Sequence, residues 1–311
     1  MGTLAISADK LTRRFGNFTA VDEISFEIPY GSIFGFLGAN GAGKSTTIRL
    51  LCGILAPTSG NGTVGGFDVQ TQPEQIKGVI GYVSQRFSLY SDLTVAENLN
   101  FFGQIYGLEG EALSTRIKEV LVLSGLDRFH QRLAGDLSGG MKQKLTIINA
   151  ILHKPKIIFL DEPTAGLDPL SRRAIWELLY QLAEDGTSLF VTTHYMEEAE
   201  RCNTIAFIAS GKILKIGQPA QLKQELSRQI LEVTCQPLMK ASRLFGALEG
   251  VRGVTVYGTT LNLNVSDQKT VEARVIAAAG REGVAITSIK PIAASLEDVF
   301  SDLDAERPED A

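Results

Sequence analysis

The chain has 311 residues, 44% of them hydrophobic and 21% charged, with a net charge of −5. That balance suits a folded protein of one large or two medium domains, and it leaves no whole-chain basic footprint, so no nucleic-acid partner is expected. The three cysteines, Cys52, Cys202 and Cys235, lack metal-ligand and Cys-x-x-Cys spacing, which points to a reducing compartment and small buried thiols.

The N-terminal residues lack a basic stretch followed by an apolar core, so no secretory signal is expected. No run approaches the roughly 18 apolar residues of a spanning helix. No direct membrane span is expected, and any membrane part must come from another polypeptide. Leu4–Ser7 and Glu23–Ile28 read as strands, with turns at Gly16-Asn17 and Pro29–Gly31. Phe15 offers a flat face for a purine, and it suits a plain core position as well. Ile33–Leu37 reads as a buried strand. It runs into Gly38-Ala39-Asn40-Gly41-Ala42-Gly43-Lys44-Ser45-Thr46, and a helix follows from Thr47. Strand, glycine loop, Lys-Ser and helix form a P-loop context. The glycines allow a tight turn with outward N–H groups, and the helix dipole favours a phosphate chain. Lys44 then reaches the β- and γ-phosphates, and Ser45 offers its hydroxyl to Mg²⁺.

Farther on, Thr63–Asp68 reads as a short strand or hairpin piece, and Ile80–Gln85 as a second buried strand. Thr94-x-x-Glu97 is a capping box that opens a helix. Residues from about 90 to 152 read as a helical subdomain inserted in an α/β core. Within it, Ser138 N-caps a helix in Leu137-Ser138-Gly139-Gly140-Met141. Ile157–Leu160 is continuously apolar, as in a strand of a parallel sheet buried on both faces, and it ends in Asp161-Glu162. Ser171–Leu182 reads as a helix, and Ser188–Thr192 as another buried strand leading to His194. Helix 195–201 and strands Thr204–Ala209 and Ile213–Ile216 complete a first domain assigned to 1–228. From 229 to 304 the order is strand (Leu231–Thr234), helix, hairpin, helix, strand (Val284–Ile289). That βαββαβ order suits a small ferredoxin-like unit. A last short helix spans Leu296–Phe300, and the polar tail 305–311 is expected to be disordered.

The chemistry gathers at strand ends, where open α/β sheets bind ligands. Asp161 is placed to hold Mg²⁺ opposite Ser45. Glu162 is placed as general base, or orienter, for an attacking water. His194, at another strand end, is a donor toward the γ-phosphate. Gln85 is a candidate bridge from Mg²⁺ or water to a neighbouring subdomain. Ser138 and the glycines after it make a second phosphate cradle. Spacing alone leaves open whether it serves a second site in this chain or a partner's nucleotide.

These residues together resemble the ATP-binding subunit of an ATP-binding-cassette (ABC) transporter. Gly38–Ser45 is similar to Walker A, and Ile157–Glu162 to Walker B with its catalytic glutamate. Leu137–Met141 resembles the family signature, Gln85 the Q-loop glutamine, Ala165–Asp168 the D-loop and His194 the switch histidine. Phe15 matches the aromatic that stacks on adenine. The resemblance covers about residues 4–225 and implies a P-loop cassette, α/β with a mixed sheet core and a helical subdomain. The ferredoxin-like α+β appendage lies outside it. It implies ATP and Mg²⁺ as ligands, with Asn40, Gly41, Ala42, Gly43 and Thr46 around the phosphates and Ser45, Gln85 and Asp161 around the metal. It implies a homodimer in which Ser138, Gly139, Gly140 and Asp168 meet the other subunit's nucleotide. It also implies a polytopic permease subunit gripped by the helical subdomain and the Gln85 loop. The stretches Leu137–Lys144 and His194–Glu200 and the closing Leu296–Phe300 look most like bacterial exporter-type cassettes for drug, lipid or polysaccharide efflux. Such a cassette sits on the cytoplasmic face of the inner membrane. Phe15 for the commoner tyrosine, Met141 for glutamine and Ser84 for proline depart from the family pattern, and none removes a catalytic group.

The competing reading is a soluble ABC ATPase acting on nucleic acid or ribosomes. Chromosome-type members need a long coiled coil between Walker A and the signature, and translation-type members usually carry two cassettes in one chain. Repair-type members need zinc cysteines. None of these is found in the sequence.

Overall fold

The computed structural model describes residues 4–227 and 230–305, and the expected disordered tail lies, from 306 onward, outside them. The chain divides into two compact units, Met1–Ile216 and Gly217–Ala311. The first unit opens with a long hairpin, β1 (Leu4–Phe15) and β2 (Phe18–Pro29). These strands are far longer than the sequence pattern suggests. Register shifts interrupt their pairing, and Lys10 and Glu23 adopt φ of 47° and 49°. Each irregularity breaks the period-two alternation by which a strand is recognised.

Then come β3 (Ile33–Leu37), α1 (Lys44–Leu51), β4 (Ser59–Val64), β5 (Phe67–Asp68), α2 (Pro73–Val79) and β6 (Ile80–Val83). The short helix α2 escapes the sequence reading. Helices α3 (Val95–Ile105), α4 (Gly110–Ser124) and α5 (Gly139–Ala150) form the helical region. The Thr94 capping box is present. Thr94 Oγ1 accepts from Glu97 N at 3.1 Å, and Thr94 N donates to Glu97 Oε2 at 2.8 Å. The unit continues through β7 (Ile157–Asp161), α6 (Pro169–Glu184), β8 (Ser188–Thr193), α7 (Met196–Ala199), β9 (Thr204–Ala209) and β10 (Lys212–Gly217).

Its main sheet has six strands in the order β10-β9-β3-β8-β7-β6, and a four-stranded sheet β2-β1-β4-β5 shares its core. β3, β7 and β8 are buried at every residue, as their uninterrupted apolar runs demand. Phe26, Phe34, Phe36 and Phe190 meet with ring centroids 5.3–6.1 Å apart, and Phe159 joins Phe190 at 5.5 Å. Each such buried ring contributes about 1.5–3 kcal/mol. The core therefore holds the strands rigidly in register: Leu37 lies beside Thr193, Asp161 beside Thr192 and Val83 beside Leu160. All these strands are parallel, so their carboxyl ends share one edge.

The second unit comprises α8 (Pro219–Ser227), β11 (Ile230–Gln236), α9 (Leu238–Gly246), β12 (Val251–Tyr257), β13 (Thr260–Val265), α10 (Gln268–Glu282), β14 (Ala285–Pro291) and α11 (Leu296–Ala305). Its antiparallel sheet has the order β12-β13-β11-β14, the ferredoxin-like arrangement read from the sequence. Leu261, Leu263 and Val265 alternate with polar residues along β13 and join Phe245 of α9 and Val271 and Val275 of α10 in the core.

Candidate nucleotide site

The loop between β3 and α1 is shaped by contacts that exclude side chains. A Cβ on Gly38 would stand 2.2 Å from the Ile208 carbonyl oxygen. Gly43 caps α1 at φ 111°, and a Cβ there would meet the Ala20 carbonyl oxygen at 2.6 Å. Lys44 is the first residue of α1. Its Nζ donates to the carbonyls of Gly38 at 2.7 Å and Ala39 at 3.1 Å, and it stands 3.1 Å from Glu162 Oε1. Lys44 and Glu162 are 5% and 9% exposed, so this ion pair is shielded from water.

The parallel edge then delivers the other groups. Ser45 Oγ donates to Asp161 Oδ1 at 3.2 Å, and Thr192 Oγ1 donates to the same oxygen at 2.8 Å. Glu162 follows β7 with φ 49°, a conformation that costs about 1–3 kcal/mol for a non-glycine residue. Its N–H is held by the Thr192 hydroxyl at 2.9 Å. Gln85 Nε2 donates to Glu162 Oε2 at 3.2 Å. His194 Nδ1 lies 3.2 Å from the same oxygen but off the line of a hydrogen bond, and this buried nitrogen has no hydrogen-bonded partner. Lys44 from the start of α1, Gln85 from beyond β6 and His194 from beyond β8 thus converge on one carboxylate.

A cleft of about 500 Å³ opens here, lined by Phe18, Ala20, Asn40, Gly41, Gly43, Lys44, Ser45, Thr46, Gln85 and Glu162. Phe18, absent from the sequence reading, stands on its wall. Phe15 pairs with Phe18 across the hairpin end, half-exposed, with the Arg13 guanidinium 4.6 Å from its ring centroid. The Phe-x-x-Phe spacing around a two-residue turn was the signal that both rings sit at one hairpin tip. Ser138, Gly139, Gly140 and Asp168 do not line this cleft, and neither do Phe15, Asp161 and His194. Ser138 N-caps α5, its Oγ accepting from Met141 N at 3.3 Å, and Asp168 N-caps α6, its Oδ1 accepting from Leu170 and Ser171 N–H groups at 3.0 Å. The Ser171 hydrogen bonds hold the Asp168 carboxyl below the usual range.

Residues 21–165 match the ABC transporter family, and residues 217–303 match the family described as ATP-binding protein DrrA1-3-like, C-terminal domain. The probable multidrug ABC transporter ATP-binding protein YbhF of Escherichia coli is 43% identical over 72% of this chain; the match spans only 39% of YbhF. The linearmycin resistance ATP-binding protein LnrL of Bacillus subtilis is 36% identical over 96% of this chain and 97% of its own length. Among solved structures, a dimeric post-hydrolysis state of the ATP-binding cassette MJ0796 bound to ADP and Pi superposes with a TM-score of 0.62. It is 26% identical and covers 68% of this chain and 98% of that one. The fold and site define a P-loop ATP-binding cassette. The chain belongs to the ABC transporter family, as an ATP-binding protein.

Proposed function

We propose that this chain is the ATP-binding and hydrolysing subunit that powers an efflux permease. The observation that carries the reading is the convergence of Lys44, Gln85 and His194 on Glu162 beside a P-loop. ATP lies in the cleft with its phosphates against the N–H groups of 38–46 and its base at the aromatic hairpin tip of Phe15 and Phe18. Lys44 exchanges its contact with Glu162 for phosphate oxygens. That exchange frees Glu162 Oε1 to accept a proton from water, while Gln85 keeps hold of Oε2. The unsatisfied Nδ1 of His194 donates to the γ-phosphate and stabilises charge developing there. Ser45, Asp161 and Gln85 form an oxygen donor set suited to Mg²⁺. When bound, Mg²⁺ neutralises charge between the β- and γ-phosphates.

Two copies complete the site: the exposed Ser138, Gly139 and Asp168, with the buried Gly140 behind the helix start, meet a partner's nucleotide. Tyr90, Phe101 and Ile105 of the helical region are exposed, which supports docking against cytoplasmic helices of a polytopic permease. Among the described residues no helix is long and apolar enough to cross a membrane. The protein is then peripheral, on the cytoplasmic face of a bacterial inner membrane. The drug-resistance and multidrug names of its relatives favour efflux.

The test has two arms. Glu162→Gln lowers phosphate release about 10²–10⁴-fold, the span of a general base, with ATP affinity retained; hydrolysis at the wild-type rate would sink the assignment. Tagged protein from detergent-solubilised native membranes brings down a polytopic membrane protein, identified by mass spectrometry. Recovery of ribosomal or DNA-associated proteins alone would transfer the same chemistry to a soluble ABC ATPase.

A further inference from the structure

We infer that Glu198 is a positioning residue that fixes the switch-histidine strand end against the segment following Glu162, an inference that rests on the nucleotide-site reading above. Glu198 lies on α7, one turn beyond His194, and is 1% exposed. Its two carboxylate oxygens hold two different segments. Oε1 accepts from the hydroxyl of Thr164, which follows Glu162, and Oε2 accepts from the hydroxyl of Thr193 at 2.7 Å. Both threonines are 1% exposed. A carboxylate this buried is costly unless its hydrogen bonds are made, and no step of nucleotide chemistry uses it.

A second path closes the arrangement into a ring. The Thr193 hydroxyl also accepts from Tyr195 N at 3.0 Å, which fixes the backbone on both sides of His194. The His194 and Tyr195 rings lie 4.1 Å apart, the Arg172 guanidinium sits 4.3 Å from the Tyr195 ring centroid, and Arg172 Nε stands 3.5 Å from Glu198 Oε1. Arg172 lies in the first turn of α6, where its N–H donates to the carbonyl of the N-cap Asp168 at 2.9 Å. Glu198 therefore touches the strand carrying His194, the 162–168 turn, and the helix that Asp168 starts. The last two residues of β8 brace the same turn: Thr192 through the Glu162 N–H, and Thr193 through Glu198.

Steady-state ATPase kinetics of Glu198→Ala, Glu198→Gln and Thr164→Val, each beside Glu162→Gln, test this. Glu198→Ala lowers kcat about 10–100-fold, the usual effect of losing an orienting outer partner, while ATP KM and the Kd for a fluorescent ATP analogue stay within about threefold. Glu198→Gln, which keeps the shape and one acceptor oxygen, restores most of kcat, and Thr164→Val falls between. Wild-type kcat in Glu198→Ala overturns the inference. So does a parallel loss of kcat, nucleotide affinity and melting temperature that Gln does not rescue. Should Glu198→Ala fail to fold, Thr164→Val decides, and wild-type kcat there overturns it. Glu162→Gln separates the two readings: full hydrolysis in that variant condemns the nucleotide site itself, whatever Glu198 does.

Discussion

Lys44 and Glu162 pair with little exposed surface on the wall of the cleft, and that pairing sets what each substitution does. Lys44→Ala removes a charged anchor worth about 1.5–3 kcal/mol, so ATP affinity falls about 10–100-fold by isothermal titration. Glu162→Gln keeps the anchor and loses the base, the opposite split. Motif spacing names both residues in the sequence, because P-loop and Asp-Glu chemistry demands particular residue types. It does not name Phe18, because aromatic stacking needs only a flat ring and many positions supply one. Phe18→Ala removes a ring contact worth about 0.5–1.5 kcal/mol, so ATP Kd rises about 2–10-fold with kcat unchanged. An unaltered Kd would leave base recognition to Phe15. The cysteines carry a separate prediction. Burial, reinforced by Asp161 beside Cys52 and by Glu198 beside Cys202, pushes both thiols far above their ordinary value. The thiolate is the reacting species. Iodoacetamide at pH 8 therefore leaves both unmodified in folded protein and labels both in denaturant, as peptide mass spectrometry reads out.

At the scale of elements, legibility followed burial. β3, β7 and β8 are buried at every residue, and their apolar runs are plain in the sequence. The half-exposed hairpin β1–β2 is not, because its bulges scramble the alternation. Helix α3 was readable from its cap alone, and that cap gives a pH-dependent prediction. Thr94 N–H and hydroxyl hydrogen bonds hold the Glu97 carboxyl below its ordinary 4.5. A carboxylate with a depressed folded pKa contributes stability that is fully present above the unfolded value. That contribution is lost as pH falls through the folded value. Thr94→Ala removes the N-cap of α3, a loss of about 0.5–2 kcal/mol by chemical denaturation at pH 7. The gap between variant and wild type narrows below pH 4.5, where the wild type loses the Thr94 hydroxyl bond to the Glu97 carboxylate and keeps the Glu97 N–H bond to Thr94 Oγ1. A gap independent of pH would mean that the Thr94 hydroxyl acts without Glu97. Side-chain contacts between elements were illegible for another reason. Glu198 sits on the short helix α7, and only the fold brings Thr164, Arg172 and Thr193 to it.

For the whole molecule, the question is what the second proposed cradle, at the Ser138 helix start apart from the P-loop cleft, serves. Ser138 and Gly139 are exposed at the start of α5, and a Cβ on Gly140 would meet Ser171 Oγ at 2.4 Å, so α5 approaches α6 closely there. The sequence could not say whose nucleotide the second cradle meets; in the proposed homodimer, a second copy of the chain, turned head to tail, would bring it over the first copy's cleft. Glu162→Gln should then hold the closed state, because every phosphate-binding group remains while water activation is lost. With ATP and Mg²⁺, light scattering of Glu162→Gln reports a mass twice that of the nucleotide-free protein. Adding Ser138→Arg returns it to monomer, because a long cation occupies the exposed helix start at the proposed interface. Single-chain ATP affinity is unchanged in that double variant, since Ser138 lines no part of its own cleft. A strictly monomeric Glu162→Gln at saturating ATP would count against the paired site. Loss of ATP binding in the Ser138→Arg chain would assign the second cradle to the chain's own nucleotide.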